Sequence, residues 1–446
     1  IDQEKQLKAN HLKSVVAITS FMDRIERHKV YKQLASYKLI YVSPELLQQE
    51  QLQKRLQHIH INLFVIDEAH CISQWGHECR PDYLKLHSII QSLGNPPILA
   101  LSATATEEVQ ADIINSLKRD NMIKHIYPMD RDNICFNIYK VEDDNNKLDQ
   151  LIHILSLHRV PTLIYFSSRK STEAYSSILA KKLPDRSIAF YHGGMDQMDR
   201  LTIQQQFMNN QLDVICCTSA FGMGINKDNI RLVIHFHFPT QLESFIQEVG
   251  RAGRDGESSV SILFYSKKDE YLPSFMIEKE LPSEEELIFV FNQLSKLAKE
   301  NKSLPKTDDD IELVFQINEI KWRFIQYQIE KNGIIKNNQI IYHQQHWQKT
   351  FHIINQYRKQ RLTTKYTSLN NMKAWLNEDG CLREHLYKHF QPSYQRPKQY
   401  CCSNCGFSIL DWKTKTHSNK NNPPNFKSWE SKLQSLLLIG EKNESK

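Results

Sequence analysis

Eight short apolar runs, each bounded by polar residues, alternate with helical stretches through the first 270 residues, and this rhythm restricts the chain to an α/β fold. "KLIYVS" (38–43), "LFVID" (63–67) and "ILALSAT" (98–104) read as buried strands, separated by helical stretches such as Pro44 to Gln57 and Glu107 to Leu117. "TLIYFSS" (162–168), "IAFYHG" (188–193), "DVICCT" (213–218), "RLVIHFHFP" (231–239) and "SVSILFYS" (259–266) repeat the pattern. Continuous apolar strands alternating with helices are the mark of parallel sheets covered on both faces. Two such sets predict two similar lobes, joined near residues 128–145, with a cleft between them.

The 446 residues suffice for about three domains. No stretch approaches the roughly 18 consecutive apolar residues of a membrane helix, so the chain reads as soluble, with no membrane partner. It starts at Ile1 with no basic-then-apolar leader, so nothing points to secretion, and the native N-terminus is expected to lie upstream. Residues 351–446 hold 16 Lys and Arg against 7 Asp and Glu, a net +9 where the whole chain carries +6. That basic end suits a polyanion, or is a solvated tail over 413–446. Nine cysteines are too few and too clustered for a secreted disulfide framework. Four of them, Cys381, Cys401, Cys402 and Cys405, share one short window and read as a metal site in a reducing compartment.

Three segments carry chemistry. "VIDEAHCISQWGHECRPDY" (65–83) places Asp67 and Glu68 at the end of an apolar strand, where doubly wound sheets bind ligands. An aspartate there can hold nucleotide-bound Mg²⁺, and the adjacent glutamate can orient the attacking water. Taken alone, such a pair more often caps the following helix. "SAT" (102–104) ends the next strand with hydroxyls that can bond the acid pair. "QEVGRAGRDG" (247–256) sets Arg251 and Arg254 three apart, which on a helix aims both at one anion. The interleaved Gly250, Gly253 and Gly256 would weaken a plain surface helix for no packing reason.

In order, "DEAHCISQWGHECRPDY", "LSATAT", "TSAFGMGINKDNIRLVIHF" (218–236) and "QEVGRAGRDG" resemble motifs II, III, V and VI of the RecQ family of superfamily 2 DNA helicases. The resemblance runs from about residue 1 to 270 and resumes at the cysteines. It implies two tandem RecA-like parallel-sheet lobes, 1–132 and 133–270, then a helical or winged-helix-like segment (282–350), a zinc-binding subdomain (351–412) and a basic tail (413–446). By the same resemblance Asp67 and Glu68 hold Mg²⁺ and position water, His70 and Gln247 couple the lobes, and Arg254, with Arg251 near it, is the arginine finger. Ser102, Thr104, Gly224 and Asp228 join Asp67, His70 and Arg254 around ATP. Trp75, His77, Arg80, Ser168, Arg169 and Thr218 face single-stranded DNA, on which an aromatic ring stacks without regard to sequence.

Two departures stand out. Cys79 occupies a position in the aromatic-rich loop that is usually aromatic in the family. No G-x-x-x-x-G-K-[ST] occurs, and the first glycine is Gly76, so the backbone cradle for the β- and γ-phosphates is absent from these residues. "DQEKQLKAN" (2–10) resembles the tail of motif Ia, which lies downstream of that loop, so the chain is expected to be an N-terminally truncated piece that hydrolyses ATP poorly by itself.

In the third segment, Trp322, Ile325 and Ile329 follow a helical spacing, Gly333 terminates it, and "IIKNNQII" (334–341) reads as a hairpin turning at Asn337 and Asn338. The segment is either a winged-helix-like module or a helical linker. Cys402 and Cys405 form a C-x-x-C knuckle and Cys381 opens a helix, as in the family's zinc subdomain. The fourth ligand is Cys401, or His385 or His389, because adjacent residues tend to point apart. Cys71, Cys135, Cys216 and Cys217 read as packing residues. Only 41 residues follow Cys405, which resembles the short, RecS-like form from Gram-positive bacteria.

The resemblance thus implies an ATP-dependent DNA helicase using ATP, Mg²⁺ and Zn²⁺, moving 3′ to 5′ on single-stranded DNA and unwinding duplexes in repair and recombination. Its implied partners are single-stranded and forked DNA and a single-stranded-DNA-binding protein; it would be a cytoplasmic, nucleoid-associated monomer. An RNA helicase and a non-hydrolysing DNA-binding or strand-annealing protein are the alternatives.

Overall fold

The computed structural model describes residues 2–73, 81–222, 227–305, 307–336, 339–391, 397 and 400–413. The chain divides into two compact units, 1–407 and 408–446. In the second, the described residues form a short turn, Ile409–Asp411, capped by Ser408. Among the described residues no helix is long and apolar enough to cross a membrane.

The first lobe runs α1 (Asp2–Ala9), β1 (Val15–Ile18), α2 (Arg24–Lys32), β2 (Leu39–Val42), α3 (Pro44–Leu47), α4 (Glu50–Leu56), β3 (Phe64–Ile66), α5 (Pro81–Leu84), α6 (Leu86–Ser92), β4 (Ile98–Ala100) and α7 (Glu107–Leu117). Local chemistry sets the boundaries. Ser43 caps α3, with Pro44 at the first helical position where its missing N–H costs nothing, and Thr106 caps α7. The strands form two parallel pairs, β1 with β2 and β3 with β4. Val16, Ile18, Leu52, Ile66, Ile90 and Ile113 lie in the core beneath them.

Two sequence expectations need correction here. The strand "VVAI" at β1 has no counterpart among the runs read from the sequence, although it is the most completely buried strand of the lobe. The runs at β2, β3 and β4 are not fully buried: every residue of β2 is half-buried, Val65 is 46% and Leu99 44% exposed, and Leu63 and Leu101 beside them are exposed too. Burial of a strand's second face depends on what packs there, and an apolar run of three residues does not report it.

The second lobe follows the expected pattern closely. β5 (Ile134–Lys140), α8 (Asp144–Leu157), β6 (Thr162–Tyr165), α9 (Arg169–Lys182), β7 (Ile188–Tyr191), α10 (Gln197–Met208), β8 (Val214–Cys217), β9 (Leu232–His235), α11 (Leu242–Val249) and β10 (Ser259–Tyr265) build one sheet of six strands. All pairings are parallel, in the order β5-β10-β9-β6-β8-β7. Every residue of β6, β8, β9 and β10 is buried, which is why their sequences are continuously apolar. Cys216 and Cys217 sit in β8, and burial pushes both thiols well above their ordinary value, so they pack as small hydrophobes.

After α12 (Tyr271–Glu280) comes a helical segment: α13 (Glu284–Lys299), α14 (Asp308–Phe315), α15 (Glu319–Lys331), the antiparallel pair β11 (Ile335–Lys336) and β12 (Gln339–Ile340), and α16 (Gln344–Leu376). Ser283 and Glu286 close a reciprocal capping box on α13. Trp322, Ile325 and Ile329 face inward on α15, Trp322 stacks on Phe315 at 4.4 Å, and Gly333 leaves the helix with φ +75°. Asn337 and Asn338, where the sequence suggested the turn, lie outside the described residues; Lys336 pairs with Gln339.

At 33 residues α16 is about 50 Å long. It runs unbroken across residues 350 and 351, where the sequence suggested a junction. Its first half packs Trp347 and Ile354 into the helical segment, and its second half packs Leu369, Met372, Trp375 and Leu376 into the core of the second lobe. α17 (Leu382–Tyr387) follows and leads to the cysteine knuckle.

Candidate active site and metal centre

Asp67 and Glu68 follow the last residue of β3, at its carboxyl end. Asp67 is exposed, its Oδ1 accepts from the Glu68 amide at 3.0 Å, and the Tyr83 hydroxyl donates to its carbonyl at 3.2 Å. Glu68 is held in the left-handed region, φ 49°, an unfavourable place for a side chain bearing Cβ. Hydrogen bonds enforce it: the Ala69 amide donates to Leu101 O at 2.7 Å, and the Cys71 amide to Glu68 O at 2.9 Å.

The buried His70 links this turn to the next strand end. Its Nδ1 lies 3.0 Å from Ser102 Oγ and 3.5 Å from Glu68 Oε2. Ser102 therefore bonds the histidine, where the sequence suggested the acid pair. Thr104 is buried, and its amide donates to Ser102 Oγ at 3.3 Å. Trp75, His77, Cys79 and Arg80 lie outside the described residues.

The arginine segment corrects the expectation of one helical turn. α11 ends at Val249, and residues 251–256 are turns, with Gly253 at φ +52° and Gly256 at φ +82°. Arg251 and Arg254 consequently diverge. Arg251 is buried, and its Nη1 donates to Gly222 O. Burial opposes its charge, but Tyr165, Glu248 and Cys217 more than offset this and raise its pKa. Gly222 is obligatory here, since a Cβ would fall inside the Arg251 guanidinium. Glu248 in turn pairs with the buried His235 at 2.9 Å. Arg254 is largely exposed, yet its guanidinium is partly withdrawn from water. That withdrawal and the neighbouring Arg251 and Arg131 cations push its pKa down, with Asp228 opposing.

The turn packs against the amino-end side of the sheet. Gly253 N donates to Ile230 O at 2.7 Å, and Asn133 Nδ2 donates to Gly253 O at 2.8 Å and Glu257 O at 2.9 Å. A Cβ on Gly253 would lie 2.5 Å from Ser259 Oγ, 2.6 Å from Asn133 Nδ2 and 2.7 Å from Glu257 O. Gly253→Ala is expected to lose about 1–2 kcal/mol from the backbone conformation and about 1–3 kcal/mol from overpacking. Thermal unfolding measures this; an unchanged midpoint would show that the turn is not held as described.

Gln247 is partly exposed on the last turn of α11, and Asp228 is exposed, its carbonyl accepting from Asp255 N at 3.4 Å. Gly224 lies outside the described residues. Ser168, Arg169 and Thr218 occupy the opposite, carboxyl side of the sheet. Ser168 caps α9 directly after β6, accepting from Ser171 N at 3.0 Å. Arg169 is exposed, and Thr218 N donates to Tyr191 O at 3.2 Å. Strand order reverses beside β6, the position at which open α/β sheets bind ligands. The second lobe thus presents two separate groups of candidate residues.

Cys381, Cys401, Cys402 and Cys405 place their four sulfurs within 4.8 Å of one another. A tetrahedral zinc with sulfurs at about 2.3 Å separates them by about 3.8 Å, so the set fits a closed thiolate site. Cys401 takes part despite its adjacency to Cys402, because Cys402 is an extended residue that ends in a tight turn: Cys405 N donates to Cys402 O at 3.0 Å. His385 is instead paired with Glu378, and its Nε2 lies 2.7 Å from Lys388 Nζ; His389 is exposed, beyond the end of α17. A hydrogen bond from Cys401 is the main cause of the lowered pKa of Cys402.

One grouping was not legible in the sequence. Asp144, His237 and Asp269 also converge, but the fully buried Lys147 places its ammonium 2.6 Å from Asp269 and 3.1 Å from Asp144. The chain supplies its own cation there.

Comparison with known proteins is consistent with this geometry. Residues 2–112 match the DEAD/DEAH box helicase family and residues 146–256 the helicase conserved C-terminal domain. The "Probable ATP-dependent DNA helicase RecS" of Bacillus subtilis (strain 168) is 37% identical over 99% of this chain and 86% of its own length. The "ATP-dependent DNA helicase RecQ" of Haemophilus influenzae is 38% identical over 62% of this chain, a match spanning 45% of that protein. Among solved structures, "DEAD-box helicase Mss116 bound to ssRNA and UDP-BeF" superposes with a TM-score of 0.52 at 18% identity, covering 83% of this chain and 74% of that one, a likeness of fold.

Proposed function

This chain belongs to the RecQ family of DNA helicases, and from that premise we infer that it is the motor part of an ATP-dependent DNA helicase that translocates 3′ to 5′ on single-stranded DNA and separates duplexes in repair and recombination. The observation that carries the reading is the pairing of an exposed carboxylate turn at the end of β3 with an exposed arginine on a cation-crowded turn of the other lobe. A phosphoryl-transfer motor needs both signs of charge: carboxylates for the metal and water, and a guanidinium for the developing negative charge.

Asp67 would hold Mg²⁺ and Glu68 would orient water, with His70 and Ser102 relaying their state to β4. Arg254 is the finger, and Gln247 and Asp228 border it. Thr104 and Gly224 complete the nucleotide surroundings. Ser168, Arg169 and Thr218 meet the DNA backbone, and Trp75, His77 and Arg80 read single strands. The four cysteines hold a structural Zn²⁺, which would fix the fold of residues 381–405. The 446 residues contain no G-x-x-x-x-G-K-[ST], so none of them supplies the phosphate cradle, and no step is assigned to one. On this reading the partners are single-stranded and forked DNA and a single-stranded-DNA-binding protein. The working form is a monomer at the nucleoid in the cytoplasm.

The test is ATP hydrolysis by the protein made from the gene's whole reading frame, with single-stranded DNA, single-stranded RNA or neither, alongside unwinding of a forked duplex. Stimulation by DNA of about tenfold or more is expected, weakening steeply with salt as phosphate contacts require. Greater stimulation by RNA would make it an RNA helicase. DNA binding without hydrolysis would make it a binding or annealing protein.

A further inference from the structure

The stretch joining the two lobes is gripped from both sides. On one side, Arg131 Nη1 donates to Gly250 O at 3.1 Å and its Nη2 donates to Gly253 O. These are the carbonyls of the two peptide groups that lead directly into Arg251 and Arg254. Gly250 is the C-cap residue of α11, a helix end where a cation is favourable, and Gly253 O also accepts from Gly256 N at 3.0 Å. On the other side, Arg383, two residues after Cys381, is fully buried. It pairs with Asp130, donates to Arg131 O at 3.1 Å and to Ile134 O, and lies over the Phe136 ring at 4.9 Å. Gln391 adds its Oε1, which accepts from Met129 N at 2.9 Å and Asp130 N at 3.3 Å.

We propose that Arg131 is a positioning residue for the arginine turn, and that Arg383 anchors it to the cysteine-bearing subdomain. This rests on Arg254 acting as the finger. Arg131 does two things at once. Its fork fixes the backbone on either side of Ala252, which an isolated glycine-rich turn cannot do for itself. Its charge also adds, after that of Arg251, to the positive surroundings of Arg254. The subdomain that carries the four cysteines is thereby connected to the turn by Arg383, the backbone of residues 130–131 and the Arg131 fork.

The experiment compares Arg131→Gln and Arg131→Lys with the parent, in the protein from the whole reading frame. Arg131→Gln is expected to lower DNA-stimulated kcat about tenfold to a hundredfold, as a displacement near 1 Å does, with KM for ATP, DNA affinity and zinc content unchanged. Amide exchange over 250–256 should quicken about tenfold while the strands of the sheet keep their rates. Arg131→Lys, which keeps the charge and reaches one carbonyl, should recover part of both. Unchanged kcat and exchange would overturn the proposal, as would a parallel loss of DNA affinity, zinc and global protection, which marks a merely structural role. If the parent hydrolyses no ATP, the finger reading fails on its own. Exchange at 250–256 then decides whether Arg131 holds the turn.

Discussion

Replacing Arg254 by alanine is expected to lower DNA-stimulated ATP turnover about a thousandfold, the lower range for loss of an arginine finger, with little change in the unfolding midpoint. Replacing Arg251 is expected to act on folding instead. Its guanidinium is buried near Tyr165 and Glu248 and bound to Gly222 O, so truncation leaves that buried carbonyl short of a donor and takes a cation away from Glu248, which keeps His235. Breaking one side of such a buried arrangement costs about 3–5 kcal/mol. Steady-state turnover and thermal unfolding of the two variants separate the roles. If Arg251→Ala keeps the parent's midpoint and loses only turnover, the division of labour between the two arginines is wrong.

The second large effect concerns the cysteines. Cys402→Ser, or removal of metal by a chelator, is expected to release about one zinc per chain. Binding of a structural zinc supplies on the order of 10 kcal/mol, more than the roughly 2–5 kcal/mol of a large truncation in a core. The knuckle should therefore unfold, freeing the contacts that Phe136 makes through Cys401 O at 3.2 Å and through its bridge to Cys402. Metal analysis and proteolysis near residues 381–405 provide the readout. His385→Ala serves as the control and should retain zinc, since that ring is engaged by Glu378 and Lys388. Zinc retained in Cys402→Ser and lost in His385→Ala would reverse the ligand assignment.

Legibility differed between the lobes for a physical reason. In the second lobe both faces of the central strands are covered, so each strand is a continuous apolar run and its boundaries can be read. In the first, β3 and β4 carry equally apolar sequences with one face open, and nothing in "LFVID" distinguishes Val65 from Ile66. α16 escaped notice because its buried residues serve two different cores in succession, which blurs any single apolar stripe.

The residue types and spacings along the chain determined which chemistry is present: an acid pair closing a strand, two arginines set among glycines, and four cysteines at knuckle spacing. They did so because strand burial, turn glycines and metal ligation each impose a local pattern. Only the tertiary structure decided how those groups are used. Arg251 and Arg254 are the same residue three positions apart, and burial beside Tyr165 and Glu248 makes one a tie and leaves the other facing solvent. Arg131 reaches Gly250 across 119 positions and Arg383 reaches Asp130 across 253. A guanidinium's role is set by the partners that folding brings to it, and a partner so distant in the chain leaves no local pattern.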